Sequence, residues 1–181
     1  MPAITIVKNV SMVGGGGAVT TNLYSGDGAT TWLKAQLVKL AAGVIAVVRT
    51  TSSAGALDSS THIPTGTKLF LADDDGSVVT TEKVGVQRVL TTTRFIAPLL
   101  DNGASAPVTP TEAAHLGLQC ELRQDTAGQW APDLSLTTNP SCEITAIESE
   151  TDPWIDTDLY KDSSGNRYGF VEFKILNISD V

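Results

Sequence analysis

The stretch TTWLKAQLVKLAAGVIAVV, residues Thr30–Val48, is the least polar part of the chain, and it decides the fold class. Its leucines follow helical spacing, with Thr31 placed to cap a helix and Gly43 placed to end it. The same residues also fit two strands joined at Ala41 and Ala42, the second being the β-branched run GVIAVV. The sequence of the rest of the chain is needed to choose between a helix and a strand–turn–strand unit.

Outside this stretch, both the composition and the turn signals favour β-structure. Thr, Val, Ser and Gly are abundant, and amphipathic runs of three helical turns are nearly absent. Turn-forming sequences recur at short intervals: SGDG at Ser25, DDDGS at Asp73, DNG at Asp101, TAG at Thr126 and SSGN at Ser163. Short strands between regular turns are typical of a β-sandwich or barrel. We therefore predict strand–turn–strand for the opening stretch.

The clearest single strand is RYGFVEFKIL, in which apolar Val171, Phe173 and Ile175 alternate with charged Glu172 and Lys174. The segment TKLFLADDDGSVVTTEKV predicts a hairpin with an Asp-Gly turn. Further strands are predicted in AITIVKNV, KVGVQRVL, RFIAPLL, LQCELR, GQWAPDL and CEITAIES.

One short helix of about two turns is predicted in TPTEAAHLG. Thr109 is the expected N-cap, Pro110 the first helical residue, Glu112 the capping-box partner and Gly117 the stop. The predicted fold is therefore all-β: a small β-sandwich or barrel with one short helix and an extended N-terminal arm.

The N-terminal part differs in kind from the rest. The segment VGGGGAVTTNLYSGDGATT contains four successive glycines, which lose much backbone entropy on ordering. We predict an arm and Gly-rich linker over residues 1–29, followed by a single β domain over residues 30–181. In the arm, ITIVKNV either pairs with a neighbouring subunit or forms a strand in its own sheet.

Charge and hydropathy limit the partners and the compartment. The chain has 12 Lys and Arg against 20 Asp and Glu, a net charge of −8, so binding to nucleic acid or to an anionic membrane gains no electrostatic energy. No apolar run reaches the roughly 18 residues of a membrane span, and no secretion signal is visible. We expect a soluble protein made and kept in a cytoplasm until it is assembled.

The expected redox state of the two cysteines follows from that compartment. In a reducing cytoplasm we expect Cys120 and Cys142 to be free, buried thiols, with a disulfide between neighbouring strands as the alternative. Neither belongs to a CxxC pair, so zinc has no support.

No arrangement of residues predicts catalysis, a cofactor or a firm metal site. His62 and His115 are the only histidines, and both are predicted to be surface or structural residues. No GxSxG motif surrounds any serine. VGGGG lacks the Lys-Ser/Thr of a phosphate loop. DDDGS is explained by a hairpin turn. DPWIDTDLYKD is a weak candidate for a metal site, and a solvated loop is the simpler interpretation. Neither has the spacing of a calcium loop; the aspartates of the second are Asp152, Asp156, Asp158 and Asp162.

The tryptophans suggest a different function, sugar stacking on a β-sandwich. Trp32 and Trp130 lie in predicted strands, where core packing is the usual role. Trp154 follows a proline among aspartates and is expected in an exposed loop. A carbohydrate-binding module is therefore one alternative function, argued by analogy with other β-sandwiches.

The order of the segments resembles the small head decoration, or cement, proteins of tailed bacteriophages. The resemblance covers most of the chain after Thr30, without a catalytic signature; where such proteins often have a glycine after LKA, this chain has Gln36. The segments that carry it are WLKAQLVKLAAGVIAVV, GTKLFLADDDGSV, VGVQRVLTTTRFIAPLLDNG, VTPTEAAHLGLQCEL, GQWAPDLSLTTNPSCEITAIE and YGFVEFKIL.

The resemblance implies a non-enzymatic virion protein, assembled in the host cytoplasm, that binds the outer capsid surface and bridges major capsid protein subunits. It implies a homo-oligomer whose many weak contacts are repeated by symmetry. An arm that orders on a neighbour by strand addition would suit this role, with Ile4, Ile6, Val7 and Val10 as its contacts. A tail or baseplate component is the near competitor, and an enzyme ranks last.

Overall fold

The computed structural model describes residues 21–28, 31–33, 35–50, 54–72, 76–77, 83–101, 107–124, 129–148 and 170–181. The protein is almost entirely β-structure in these ranges, and none of their helices is long and apolar enough to cross a membrane. The strands are β1 (Thr21–Ser25), β2 (Thr31–Trp32), β3 (Leu37–Ala41), β4 (Val44–Val47), β5 (Gly55–Leu57), β6 (Leu69–Ala72), β7 (Gly76–Ser77), β8 (Lys83–Arg88), β9 (Phe95–Leu100), β10 (Pro107–Val108), β11 (Gln119–Gln124), β12 (Trp130–Asp133), β13 (Cys142–Glu148) and β14 (Phe170–Ile175). The single helix, α1, is Glu112–His115.

The opening stretch forms strands, which confirms the strand–turn–strand prediction. β3 and β4 are an antiparallel hairpin whose last pair is Ala41 with Val44. Ala42 and Gly43 make the two-residue turn, with φ of 50° and 84°. Positive φ at both positions is the mark of a type I′ turn, which matches the twist of the flanking strands. The turn therefore lies one residue later than predicted, because it places glycine at a position that requires positive φ.

A five-stranded sheet contains this hairpin, in the order β1-β8-β6-β3-β4. Its two outer strands approach each other at one parallel bridge between Gly26 and Ile45. Side chains of this sheet form a hydrophobic core that is separate from the core of the barrel described below, and we call it the second core. That core consists of Trp32, Val38, Ile45, Val47, Phe70, Ala72 and Val86, with Tyr24 and Leu40 packed against it.

The predicted Asp-Gly hairpin is only partly correct. β6 pairs antiparallel with β8, as a hairpin should, but the pair nearest the turn is Ala72 with Val86. The return strand is therefore Lys83–Arg88, and the chain between the two strands contains β7, which pairs with β2. The buried Trp32 lies in β2, whose backbone groups need hydrogen-bond partners, and β7 provides them.

A closed barrel forms the other part of the fold. β9, β12, β11, β13 and β14 pair in that order, and β14 returns to pair with β9. All these pairings are antiparallel except that of β9 with β12, which is parallel. β10 extends the ring at β9, and β5 pairs with β11. These elements confirm the prediction of an all-β barrel or sandwich.

Three aromatic rings lie at the centre of the barrel. The centroid of Phe95 is 5.0 Å from that of Trp130 and 5.6 Å from that of Phe173, and Trp130 meets Phe173 edge-on at 5.9 Å. The same core continues into the five-stranded sheet through buried Leu37 and Leu71. The sheet and the barrel therefore stabilise each other by sharing apolar surface.

The short helix is present but begins later than predicted. Its N-cap is Thr111 rather than Thr109, and no side chain caps it. A cap at Thr109 would require helical backbone at Thr111, but Thr111 is extended, with φ of −134° and ψ of 146°. The His115 ring instead closes the turn, because its Nδ1 lies 2.9 Å from the Thr111 backbone nitrogen. The helix is one turn long.

The N-terminal arm lies largely outside the described residues, so it stays a prediction. Thr21–Ser25, which the sequence interpretation placed in the linker, form β1 and pair with β8 over all five residues. Alternation explains this: Tyr24 packs edge-on against Phe70, with ring centroids 5.3 Å apart, while Leu23 is exposed.

The β3–β4 turn gives a test of the hairpin. Ala42 has a positive φ, which costs an L-residue with a Cβ about 1 kcal/mol relative to glycine. We expect Ala42→Gly to raise the free energy of unfolding by about 0.5–1 kcal/mol in urea titrations. The control is Ala41→Gly in the adjacent strand position, which should lower it. Equal losses in the two variants would contradict the type I′ assignment.

Candidate functional site

A cluster of polar contacts surrounds Arg49, which follows the end of β4. Its backbone carbonyl accepts hydrogen bonds from Gln36 Nε2 and Gln124 Nε2, both at 3.1 Å. Gln36 precedes β3 in the five-stranded sheet, whereas Gln124 belongs to β11 of the barrel, and both side chains are fully buried. This one carbonyl therefore links the two parts of the fold.

The guanidinium of Arg49 binds the edge strand β5. It donates to the carbonyl oxygens of Ala54 at 3.4 Å and Ala56 at 3.3 Å. Carbonyls two residues apart point to the same side of a strand. The guanidinium thus stands where a further strand would add, which protects this edge from pairing with another chain.

His62 connects the Arg49 guanidinium to Asp58. Its Nε2 lies 3.2 Å from Arg49 Nη1, and its Nδ1 lies 2.7 Å from Asp58 Oδ2. Arginine only donates, so Nε2 accepts and Nδ1 carries the hydrogen that is donated to Asp58. Both ring nitrogens of His62 are therefore occupied by protein partners.

Asp58 is the anchor of the turn that carries His62. Its Oδ1 accepts from the backbone N–H of Ser60 at 2.9 Å, from the N–H of Thr61 at 2.6 Å and from the Ser60 hydroxyl at 2.6 Å. Burial raises the pKa of this carboxyl, but the hydrogen bonds from Ser60, Thr61 and His62 together lower it far below its ordinary value. Asp58 is therefore a fixed anion that holds its turn in place.

The Asp58–His62 pair does not form a nucleophile-activating triad. A triad needs a hydroxyl or thiol at the free imidazole nitrogen, and Arg49 occupies that place. The Ser60 hydroxyl donates to Asp58 rather than to the ring. Among the described residues, His62 contacts Arg49 and Asp58, and His115 closes the turn of α1.

The tryptophans that the structure describes pack in cores. Trp32 is 3% exposed in the second core and Trp130 is 1% exposed in the barrel. Trp130 also donates from Nε1 to the Ala35 carbonyl at 3.1 Å, another contact between the barrel and the sheet. Neither ring presents a face for a sugar, and Trp154 lies outside the described residues.

Other sequence candidates fall partly or wholly outside the described ranges. DPWIDTDLYKD and the three aspartates of DDDGS are in this group, as are the proposed contact residues Ile4, Ile6, Val7 and Val10. Among the residues that are described, no three or more His, Cys, Asp or Glu side chains come together as metal ligands.

Sequence reasoning missed an exposed apolar pair, which we call the leucine pair: Leu116 and Leu118. They are 51% and 41% exposed on either side of Gly117, which has a φ of 80°. Backbone hydrogen bonds fix this corner, from Gly117 N–H to the Ile144 carbonyl and from Ile144 N–H to the Leu118 carbonyl, both at 2.9 Å. The signal in the sequence is Leu-Gly-Leu directly after a predicted helix, where glycine reverses the chain and leaves both neighbours outside.

Comparison with known proteins identifies no relative. No protein-family model, no curated protein and no solved structure matches the chain. The function has to be argued from the fold and its surfaces.

Gly55 gives a test of the Arg49 contacts. A Cβ at this position would lie 2.3 Å from Arg49 Nη2 and 2.6 Å from its Cζ, so the guanidinium would have to leave its carbonyl partners. We expect Gly55→Ala to lower the free energy of unfolding by about 1–3 kcal/mol. In an Arg49→Met background the same change should cost markedly less. Additive effects in this double-mutant cycle would contradict the proposed packing.

Acid unfolding should reveal the Asp58 anchor. Because its pKa is lower in the folded than in the unfolded chain, it stabilises the fold above the unfolded value of about 3.9, and that stability is lost as the pH falls below it. We expect Asp58→Asn to be less stable at neutral pH and to lose less stability between about pH 5 and pH 3. Asp101→Asn, at an exposed position after β9, controls for the removal of one charge. Parallel curves for wild type and Asp58→Asn would refute the assignment.

Proposed function

We propose that the protein is a non-enzymatic structural protein of a tailed-bacteriophage virion that binds the outer surface of the assembled capsid. It stabilises the shell by bridging neighbouring major capsid protein subunits, as a homo-oligomer. The observation that carries the proposal is the leucine pair, an exposed apolar corner that is held by backbone hydrogen bonds to β13.

The leucine pair has the properties of a docking element. Its two side chains leave the barrel on a turn that is held by backbone hydrogen bonds to β13, so little conformational entropy is lost on binding. A leucine contributes about 1.5–3 kcal/mol when it is buried from full exposure, so the half-exposed side chains of Leu116 and Leu118 contribute about half of that each. Contacts of that size are weak singly but strong when repeated over a symmetric lattice, as a capsid surface requires.

The neighbouring barrel surface supports a structural role. On its outer face, Lys174 binds Glu143 at 2.9 Å, and Gln119 donates to the same carboxylate at 3.0 Å. On the adjacent strands, Arg94 lies 3.7 Å from Glu172. These polar groups satisfy one another across strands and stabilise this face of the barrel.

The buried polar groups also favour scaffolding over chemistry. Asp133 is fully buried, where Arg123 and Ser135 donate to its two oxygens. Burial raises its pKa, but the hydrogen bonds from Ser135 and Arg123 lower it more. Such a carboxylate fixes the end of β12 and is not free to exchange protons with a substrate. Burial of Trp32 and Trp130 likewise counts against the carbohydrate-binding alternative.

Cosedimentation with capsids of the encoding phage tests the proposal, using expanded and unexpanded shells and purified tails. We expect saturable binding to the expanded shell at a fixed number of copies per capsomer. Binding to tails alone would make the protein a tail or baseplate component. Absence of binding to all three particles would overturn the virion role.

Variants separate the surfaces involved. We expect the double change Leu116→Ser and Leu118→Ser to weaken capsid binding at least about tenfold, since it removes two buried apolar contacts. Leu33→Ser is the matched control, because Leu33 is 42% exposed elsewhere on the fold.

Deletion of Met1–Gly17 tests Ile4, Ile6, Val7 and Val10 separately, and unchanged binding would remove the arm from the proposal.

A further inference from the structure

The two cysteines of the chain face each other inside the barrel. Cys120 in β11 and Cys142 in β13 are directly opposed in the antiparallel register. Both side chains are fully buried, both thiols are free, and their Sγ atoms are 3.6 Å apart. The Cys142 thiol also donates to the Cys120 carbonyl at 3.3 Å.

This geometry is close to that of a disulfide. Opposed residues of an antiparallel pair have Cα atoms about 4.5–5.5 Å apart, within the range of about 4.4–6.8 Å that disulfides span. The sulfurs have to approach from 3.6 Å to about 2.05 Å, which side-chain rotation supplies without a change of register.

We propose that Cys120 and Cys142 are an oxidation site: a dithiol that closes to an intramolecular disulfide across β11 and β13 when a small-molecule disulfide of the glutathione class oxidises it. The inference does not depend on capsid binding.

The reaction is two thiol–disulfide exchanges. One cysteine thiolate attacks a sulfur of the oxidant, which forms a mixed disulfide and releases the first reduced thiolate. The other cysteine, as thiolate, attacks the cysteine sulfur of the mixed disulfide and releases the second. The protein loses two electrons and two protons, and one oxidant disulfide becomes two thiols.

Burial determines both the rate and the product. Burial, and hydrogen bonding and charge interaction with Cys120, raise the pKa of the Cys142 thiol well above its ordinary value, and exchange requires a thiolate. Oxidation therefore proceeds through openings of the barrel. A close-packed core has no space for a glutathionyl group, so the mixed disulfide is resolved and the intramolecular bond is the product compatible with the closed barrel.

The disulfide would strengthen one of the short seams of the barrel, a seam being the line along which two neighbouring strands pair. β11 and β13 share only two register pairs, Gln119 with Glu143 and Cys120 with Cys142. The neighbouring seam between β13 and β14 has six. A covalent link at the short seam also closes the loop that contains β12, which reduces the entropy of the unfolded chain.

The test uses the full chain in a buffer of oxidised and reduced glutathione, with urea below the unfolding transition to allow opening. Exchange is stopped in acid, and the protein is then unfolded in denaturant at neutral pH with an excess of alkylating reagent and weighed. We expect a monomer lighter than the reduced chain by two hydrogens, with no alkylation, that reverts in dithiothreitol. Its Tm should be about 5–10 °C above that of the reduced protein.

The chain has no other cysteine, so each product is identified by its mass. Two alkylated thiols, a persistent glutathionyl adduct or a disulfide-linked dimer would each overturn the proposal. Cys120→Ala and Cys142→Ala each keep one thiol, and neither should show an oxidant-dependent rise in Tm. If a variant fails to fold, the wild-type masses decide alone.

Discussion

The Arg49 carbonyl ties the two parts of this fold together. It accepts from an amide of the five-stranded sheet, on Gln36, and from an amide of the barrel, on Gln124. The oxygen of the Gln36 amide accepts a hydrogen bond from the Leu33 N–H at 3.0 Å, which holds the chain in place before β3. Buried amides of this kind are costly when unpaired, so their partners fix one arrangement of the elements around them.

Arg49 also connects this buried contact to the edge strand β5. Its guanidinium covers β5 and contacts His62, whose turn is anchored by Asp58. Main chain and side chain of one arginine thus position the sheet, the barrel, an edge strand and a turn. An arginine is suited to this because its donors are fixed in one plane and it stays charged when partly buried.

Strand content was predictable where alternation and β-branching agree. Val171, Phe173 and Ile175 are buried on β14 as their spacing predicts, and the residues Val44–Val47 of GVIAVV form β4. The interruption between β6 and β8 was not predictable, because pairing between β2 and β7 depends on contacts distant in sequence. The N-cap is Thr111 rather than Thr109, and the contact of the His115 ring with the Thr111 backbone nitrogen is not part of the capping-box pattern.

The candidate site was predictable only in part. The structural role of His62 followed from the lack of a nucleophile motif nearby, but nothing local marks Arg49 as the residue that occupies its Nε2. Nothing local predicts the buried contact of Gln36 either, because its hydrogen bond to the Arg49 carbonyl spans 13 residues. The leucine pair also depends on how α1 ends, which spacing alone does not set.

The position of β14 in the ring has a consequence for synthesis on the ribosome. It is the last strand in chain order, yet it lies between β9 and β13 and pairs with both. Until it emerges, both neighbours present unpaired backbone, the condition under which nascent chains associate wrongly. Closure also joins Phe95 with Phe173, a contact that spans much of the chain. Folding of the barrel is therefore expected to be slow, and in a crowded cell to depend on protection of those two open edges.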